Sequence, residues 1–264
     1  MTPSVKIKIA DIVFKINCES PKPVLWLKKN YELFLTKDKP DLSVDLKLSA
    51  RKREVSKAYR IKWKHSGRLL IEAGPFDLDI DFPGKKAYVR ADNDLGPADL
   101  MRFLGFIMLC RRKGLLLHAS AVLDKGFSYV FFGPSESGKT TIARLSQARS
   151  VLSDEAVAIT GGNGEFKAYA TPFAGEFGSV KENTGGPVKA VFLIVKAKRF
   201  SHRIVGQKEA LKELLRNNLV NIPDPVITNH LLDTLTLLVK EVPCYRLYFK
   251  PQKAIWRYIH GFVK

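Results

Sequence analysis

The stretch "SYVFFGPSESGKTTIARL" (residues 128–145) decides the fold of the second half of the chain. It runs from apolar strand formers into a turn rich in Gly and Ser, and then into a Lys, two Thr and a helical pattern. Residues 133–140, "GPSESGKT", satisfy the pattern G-x-x-x-x-G-K-[ST] between a strand and a helix, as a phosphate-binding (Walker A) loop requires. The turn is therefore predicted to hold the phosphates of a nucleotide.

Each residue type in this loop has a physical reason. Gly133 and Gly138 let the backbone curl, so that successive N–H groups can point at phosphate oxygens. Lys139 is expected to reach the outer phosphates, and the Thr140 hydroxyl is placed to ligate Mg²⁺. A Gly-Ser turn with an incidental Lys is the alternative, and the strand–helix context disfavours it. The predicted nucleotide-binding residues are Gly133, Pro134, Ser135, Glu136, Ser137, Gly138, Lys139, Thr140 and Thr141.

An acidic pair follows the loop at a short distance. Asp154 lies fifteen positions after Lys139, and Glu155 follows it in "VLSDEAVAI". Apolar residues on both sides place the pair at the end of a strand beyond one short helix, so the chain should return beside the phosphate loop. One carboxylate could then hold magnesium while the other takes a proton from an incoming hydroxyl. The alternative is a plain acidic turn, because such dipeptides are common in turns.

Two more residues are candidates for the site only in combination with the phosphate loop and the acidic pair. His118 lies in the strand that precedes the loop strand, and is expected at the same edge of the sheet. Alone, it would more often be a satisfied core histidine. Glu176, in "TPFAGEFG", lies in a Gly-flanked loop where its carboxylate could complete a metal shell; alone, it would be a solvated loop residue.

The remaining patterns predict two domains. Alternating apolar and polar residues over much of 1–95 predict an antiparallel β-rich N-terminal domain, with one helix at 21–35. A capped amphipathic helix at 93–114 is expected to connect it to the second domain, 96–264. There, a hairpin around "DKG" precedes the loop, and strands alternate with helices. The fold class is therefore α/β in the P-loop domain and α+β overall.

Net charge limits the classes of binding partner, and cysteine content indicates the cellular compartment. The formal charge is +18, which suits an acidic partner such as a nucleic acid, an anionic membrane or an acidic peptide, or a Lys-rich solvated surface. The basic clusters at 50–53 and 111–113 are not interleaved with aromatic residues, which disfavours nucleic-acid binding. The sequence shows neither an apolar membrane span nor a signal-peptide block. Three widely spaced Cys indicate a reducing compartment, so a cytoplasmic location is expected.

Taken together, the motifs resemble a known family. "LLLHASAVLDKGFSYVFFGPSESGKTTIARL", "VLSDEAVAI" and "TPFAGEFG" are similar to the HPr kinase/phosphorylase-like proteins, whose catalytic fold is that of the phosphoenolpyruvate carboxykinases. The resemblance covers about residues 105–200, and the rest looks like a divergent branch of that family often found beside peptide-modifying enzymes. The family's loop that dictates its protein substrate has no counterpart in this sequence, so HPr itself is an improbable acceptor.

The resemblance implies a role for each site residue. Asp154 matches the catalytic base that deprotonates the acceptor hydroxyl, and His118 matches the histidine that supports it. Lys139 and the loop amides would hold the phosphates of ATP. Thr140, Glu155 and Glu176 would hold Mg²⁺, although Glu155 stands where the family usually has Asp. The cation that neutralises the transferring phosphoryl group stays open among Lys181, Arg199 and Arg203. The family's rings and dimers make a homo-oligomer an expectation.

Two classes of function follow. The leading hypothesis is an ATP- and Mg²⁺-dependent kinase that moves the γ-phosphate to a hydroxyl of a Ser or Thr in a peptide or protein, or of a small metabolite. The alternative is a non-transferring ATP-binding module whose N-terminal domain recognises a peptide or protein partner. The first needs a base beside the phosphate loop, and the second does not.

Overall fold

The computed structural model describes residues 2–49, 60–64, 66–73, 76–92, 96–162, 164–173, 175–178, 180–220 and 222–263. The chain forms two compact units, the first Met1–Gly105 with Ile222–Asp224, and the second Phe106–Asn221 with Pro225–Lys264. The domain boundary at residues 95/96 stays a prediction; the compact units themselves divide within a helix. The basic cluster at 50–53 lies outside the described residues.

The first unit is built on a sheet whose described strands follow the order β1-β2-β3-β7-β6-β5-β4. In chain order the strands are β1 (Ser4–Ile9), β2 (Ile12–Cys18), β3 (Leu42–Ser49), β4 (Arg60–Lys64), β5 (Arg68–Ala73), β6 (Phe76–Asp81) and β7 (Lys86–Asp92). Helix α1 (Pro21–Asn30) and a 3-10 turn (Glu32–Phe34) follow β2, so the helix expected at 21–35 is shorter than predicted.

The pairing of β3 corrects one expectation. The predicted alternation is present, and β6 for example buries every second side chain. The strands were expected to be antiparallel throughout, but β3 runs parallel to both β2 and β7. Parallel neighbours need a long return of the chain. Here α1 provides the return from β2 to β3, and the β4–β6 segment provides the return from β3 to β7.

The second unit surrounds a mixed sheet with helices. The helix at the unit boundary is α2 (Pro97–Arg111); the described strands are, in chain order, β8 (Gly114–Asp124), β9 (Phe127–Phe132), β10 (Ser150–Ser153), β11 (Ala156–Gly162), β12 (Glu165–Tyr169), β13 (Gly185–Lys196), β14 (Ser201–Ile204) and β15 (Cys244–Phe249); the other helices are α3 (Lys139–Leu145), α4 (Gln207–Arg216), α5 (Pro225–Glu241) and α6 (Ile255–Phe262). None of the described helices is both long and apolar enough to cross a bilayer.

Strand β9 connects the two halves of this sheet. It pairs antiparallel with β8 and parallel with β13, which in turn is parallel to β15. The predicted hairpin is confirmed: Asp124 pairs with Phe127, and Lys125 and Gly126 both have positive φ, as a tight two-residue turn requires. The loop that follows β9 therefore begins at the carboxyl edge of parallel strands.

An aromatic core holds the helix that follows this loop. Phe131 of β9 stacks on Phe192 of β13 with ring centroids 5.0 Å apart, and Trp256 of α6 meets Phe131 edge-on at 6.0 Å. The Trp256 indole N–H donates a 2.8 Å hydrogen bond to the Ser146 hydroxyl, at the end of α3. Sheet, α6 and α3 are thus tied together around the turn at 133–138.

Candidate functional site

The phosphate-loop sequence forms a tight turn between β9 and α3. The Ser137 N–H donates to the Pro134 carbonyl at 3.2 Å, and the Ile142 N–H donates to the Gly138 carbonyl at 2.9 Å, which starts the helix. Pro134, Ser135 and Glu136 are exposed to solvent. The nine predicted nucleotide-binding residues therefore lie in one continuous turn and the first residues of α3.

Two glycines are required by the shape of the turn. A Cβ on Gly138 would lie 2.6 Å from Cζ of Phe249, and the φ of Gly138 is +110°, a conformation that other residues rarely adopt. A Cβ on Gly133 would lie 2.9 Å from the Ser137 hydroxyl and 3.2 Å from the carbonyl of Ile194. The loop is thus packed directly against the ends of β13 and β15.

Lys139 bends back over the loop. Its amine donates to the carbonyls of Gly133 at 2.9 Å and Pro134 at 3.2 Å, and the residue is 7% exposed. Burial lowers the pKa of the Lys139 amine, and the negative charge of Glu155 partly opposes this shift. The amine therefore lies inside the turn and interacts electrostatically with Glu155.

The acidic pair occupies a break between two strands. β10 ends at Ser153 and β11 begins at Ala156, and both strands pair with β8. The Ser153 hydroxyl accepts the N–H groups of Glu155 at 3.1 Å and Ala156 at 3.0 Å, which fixes the bend. Because the ladder is interrupted at Asp154 and Glu155, these two side chains can leave the alternation of the sheet.

Asp154 is buried and accepts hydrogen bonds on both carboxylate oxygens. The Thr140 hydroxyl donates at 3.3 Å, and the backbone N–H groups of Gly175 and Phe177 donate at 3.1 and 2.8 Å. A Cβ on Gly175 would lie 2.7 Å from Oδ1 of Asp154, so the loop at 175–177 approaches this carboxylate as closely as glycine permits. Asp154 is therefore held against the start of α3.

Glu155 turns instead toward His118. Its Oε1 lies 3.6 Å from Nδ1 of His118, and both side chains are about one-third exposed. Burial, followed by the charge of Lys139, lowers the pKa of His118, while Glu155 and Asp154 act in the opposite direction. The resemblance paired His118 with Asp154 and Thr140 with Glu155; the structure pairs His118 with Glu155 and Thr140 with Asp154, because the break at 154–155 directs consecutive side chains apart.

The side chain of Glu176, the third predicted metal ligand, faces solvent. Its side chain is 82% exposed, and its carboxylate is 4.0 Å from a guanidinium nitrogen of Arg144 on α3. Over the described ranges, no group of three or more His, Cys, Asp or Glu is arranged to hold a metal ion. The metal shell of Thr140, Glu155 and Glu176 stays a prediction.

Comparison with protein families matches residues 100–264 to the family described as SynChlorMet cassette protein ScmC. The chain belongs to the ScmC family. No curated protein matches the chain. A solved structure, "Structure of the Hpr(Ser) kinase/phosphatase from Coxiella burnetii", shares 12% identity and covers 56% of this chain and 87% of its own. Its TM-score of 0.33 is too low to support any statement about the activity of the ScmC-family chain.

The candidate cations differ in how strongly they are engaged in the ScmC-family chain. Arg203 forms two hydrogen bonds with Glu209, at 2.7 and 3.1 Å, and so is already paired. Lys181 and Arg199 are exposed. Lys196, which the sequence did not single out, has its Cε 3.3 Å from the position that a Cβ on Gly138 would take. Its place at the end of β13 was a signal, since the ends of parallel strands border the loop.

The structure also brings in groups that no sequence pattern marks. The backbone N–H groups of Gly175 and Phe177 hold Asp154, and the Ser153 hydroxyl shapes the bend before Glu155. A backbone donor carries no residue signature, so these contacts could not be found in the sequence of the ScmC-family chain. The Gly that flanks Glu176 was the one local hint, because glycine permits close approach.

Proposed function

We propose that this ScmC-family chain is an ATP- and Mg²⁺-dependent kinase that transfers the γ-phosphate to a hydroxyl of a Ser or Thr in a peptide or protein, or of a small metabolite. One observation carries the proposal. The Thr140–Asp154 and His118–Glu155 contacts lie on consecutive acidic residues beside the same buried lysine. A chain that only stored a nucleotide would need the loop and not a second, separately supported carboxylate.

The residues present fit a nucleotide with magnesium. The turn offers backbone N–H groups and a buried amine for phosphate oxygens. The Thr140 hydroxyl and the Asp154 carboxylate are hard oxygen donors, which suit Mg²⁺. When bound, magnesium would neutralise negative charge on the phosphate oxygens. Thr140, Asp154 and Lys139 are therefore the groups that we assign to phosphate and metal.

We assign the proton transfer to Glu155. Asp154 accepts hydrogen bonds from Thr140 and two backbone N–H groups, which fix one orientation of its carboxylate beside the phosphate loop and suit it to holding a metal ion. Glu155 lies beside His118 and interacts electrostatically with Lys139, and about a third of its side chain is open to solvent, where an acceptor hydroxyl can arrive. The assignment of Asp154 as the base, which the resemblance implied, is the alternative.

Two isosteric variants separate these assignments. The wild-type chain and both variants are incubated with γ-labelled ATP, Mg²⁺ and a panel of Ser/Thr peptides and small hydroxyl compounds, and labelled acceptor is counted. Glu155→Gln is expected to lower transfer by about 10²–10⁴-fold with ATP affinity unchanged, as loss of a general base does. Asp154→Asn is expected to raise the Mg²⁺ concentration needed for nucleotide binding.

The controls decide between the functions. Lys139→Ala should abolish nucleotide binding, and Lys208→Ala, at an exposed position of α4, should change nothing. If Asp154→Asn abolishes transfer at unchanged Mg²⁺ affinity while Glu155→Gln retains it, Asp154 is the base. Tight ATP binding by the wild-type chain with no label on any acceptor would favour the non-transferring module.

A further inference from the structure

The first unit exposes four large apolar side chains that are close together in the sequence. Leu25, Trp26, Leu33 and Leu35 are 60%, 38%, 48% and 42% exposed. They are four of the ten exposed large hydrophobic side chains among the described residues, and they fall within eleven consecutive positions. Single exposed apolar residues are ordinary, so whether this segment is an interaction site depends on the surface beside it.

The core does not require these side chains. Helix α1 buries Pro23, Val24 and Leu27 on one face, which packs on the sheet of this unit. Leu25 lies on the opposite, solvent-facing side, and Trp26 lies at the flank of the buried face, one turn after Pro23. Trp26 makes an edge contact with Tyr31 at a centroid distance of 5.6 Å, which orients its ring without covering it. The buried face of α1 is thus formed without Leu25 and Trp26, and packing in the core does not explain why these two residues are apolar.

A concave cavity of about 440 Å³ adjoins Trp26, and we name it the α1 groove. Its apolar walls are Pro23 and Trp26 of α1, Leu46 and Leu48 of β3, and Pro97 and Leu100 of α2. The volume falls within the range of about 300–1,000 Å³ that small ligands and side-chain anchors occupy. The groove can therefore receive at least one large apolar side chain.

The rim of the α1 groove is positively charged. Lys22 lines the cavity, and Lys29, two turns later on α1, falls on the same side of the helix as Lys22 and Trp26; neither lysine has an acidic partner in the part of the chain that the structure describes. The nearest acid on α2, Asp99, lies 3.9 Å from Arg102. Unpaired lysines around an apolar cavity favour a partner that carries carboxylates beside an apolar residue.

The shape of the groove distinguishes a peptide from a membrane. Leu46 and Leu100 are 6% and 2% exposed at the floor of the cavity. A bilayer surface would touch Trp26 and the lysines at the rim, whereas only an inserted side chain reaches the floor. Apolar anchors that fill such pockets, with charged neighbours at the rim, are typical of peptide recognition.

We propose that the α1 groove binds an acidic peptide segment, with a Leu or Phe side chain of the peptide in the cavity and its carboxylates on Lys22 and Lys29. Trp26 packs on the inserted side chain, and the positively charged rim selects a negatively charged partner. Binding at this site needs neither ATP nor the phosphate loop. It therefore stands or falls separately from the kinase proposal.

The test uses the full chain without ATP and three short fluorescein-labelled peptides of equal length. One alternates Asp or Glu with Leu or Phe, the second has Lys for every acid, and the third has Ser for every apolar residue. Fluorescence anisotropy is expected to show binding of the first peptide alone, and to weaken with rising salt. Trp26→Ala, and separately Lys22→Glu with Lys29→Glu, should each weaken binding by about tenfold or more.

Matched controls come from the second unit. Ile204→Ala removes an exposed apolar residue, and Lys208→Glu with Lys212→Glu reverses two exposed charges; both should bind the peptide as the wild type does. Equal binding of the Lys peptide, or no effect of Trp26→Ala, would overturn the proposal. So would the failure of all three peptides together with Trp26-dependent sedimentation on phosphatidylserine vesicles, which would assign the surface to a membrane.

Discussion

Asp154 shows how much of a site can depend on donors that have no side chain. Both of its oxygens are held by N–H and O–H groups, two of them from the backbone at 175–177. The sequence identified the carboxylate but not its supports. Each charge-assisted hydrogen bond of this kind contributes about 1.5–3 kcal/mol, so the loop at 175–177 is as much a part of the site as the acid itself.

Gly175→Ala tests this support. Its new Cβ would lie 2.7 Å from Oδ1 and 2.9 Å from Cγ of Asp154, so either the carboxylate or the loop must move. We expect the free energy of unfolding to fall by about 1–3 kcal/mol, as overpacking of a buried site does. Urea unfolding measures this, with Gly206→Ala as the control, because nothing lies within 4 Å of a Cβ there. An equal loss in both variants would contradict the close contact.

His118 predicts a pH dependence of stability. Burial and Lys139 lower its pKa below the usual 6.5, so between the two values the unfolded chain binds a proton that the folded chain does not. The contribution of His118 is therefore complete above pH 6.5 and is lost as the pH falls below it, with a slope of at most about 1.4 kcal/mol per unit. Urea unfolding of the wild type and His118→Gln should show a stability difference that changes in this direction between pH 7 and 5. A constant difference would exclude it.

At the scale of elements, local signals and long-range pairing differ in what the sequence reveals. The strand, turn and helix at 128–145 were predicted because Gly, Lys and apolar periodicity are local, and the hairpin before them has its own turn signal. The parallel pairing of β3 and the short strand β14 were missed, because both depend on where distant segments return. The same holds for the partner of Glu155: spacing placed the acidic pair near the loop, while the break in the ladder decided which acid meets His118.

The link between α3 and α6 is a second element-scale prediction. The buried Ser146 hydroxyl accepts the Trp256 N–H at 2.8 Å and donates to the Ile142 carbonyl at 2.6 Å. Ser146→Ala leaves a buried indole N–H without a partner, which costs about 1–3 kcal/mol. A double-mutant cycle with Trp256→Phe, followed by urea unfolding, should give a coupling of about 1 kcal/mol between the two positions. Strict additivity would show that the hydrogen bond does not stabilise the pair.

At the scale of the whole molecule, and among the residues that the structure describes, some charged side chains are paired within the fold, whereas others are unpaired at the surface and can bind a partner. The chain carries an excess of 18 positive charges, and several of its described acids lie in specific ion pairs. Asp124, for example, meets both Arg149 at 2.9 Å and His260 at 2.7 Å, and Arg149 lies over the Trp256 ring. Lysines at the rim of the α1 groove have no such partner among the described residues, which leaves them available to an acidic ligand.

The burial of the three cysteines predicts that their thiols react slowly in the native chain. Cys18, Cys110 and Cys244 are free and buried, one in the first unit and two in the second. Burial raises all three thiol pKa values, to about 12 for Cys110 and Cys244. At that pKa only about one thiol in ten thousand is ionised at pH 8, and the thiolate is the reactive form. A thiol-reactive chromophore should therefore label none of them in the native chain within minutes and all three in denaturant. Rapid labelling of any one without denaturant would show that its unit opens locally, since a buried thiol reacts only through such opening.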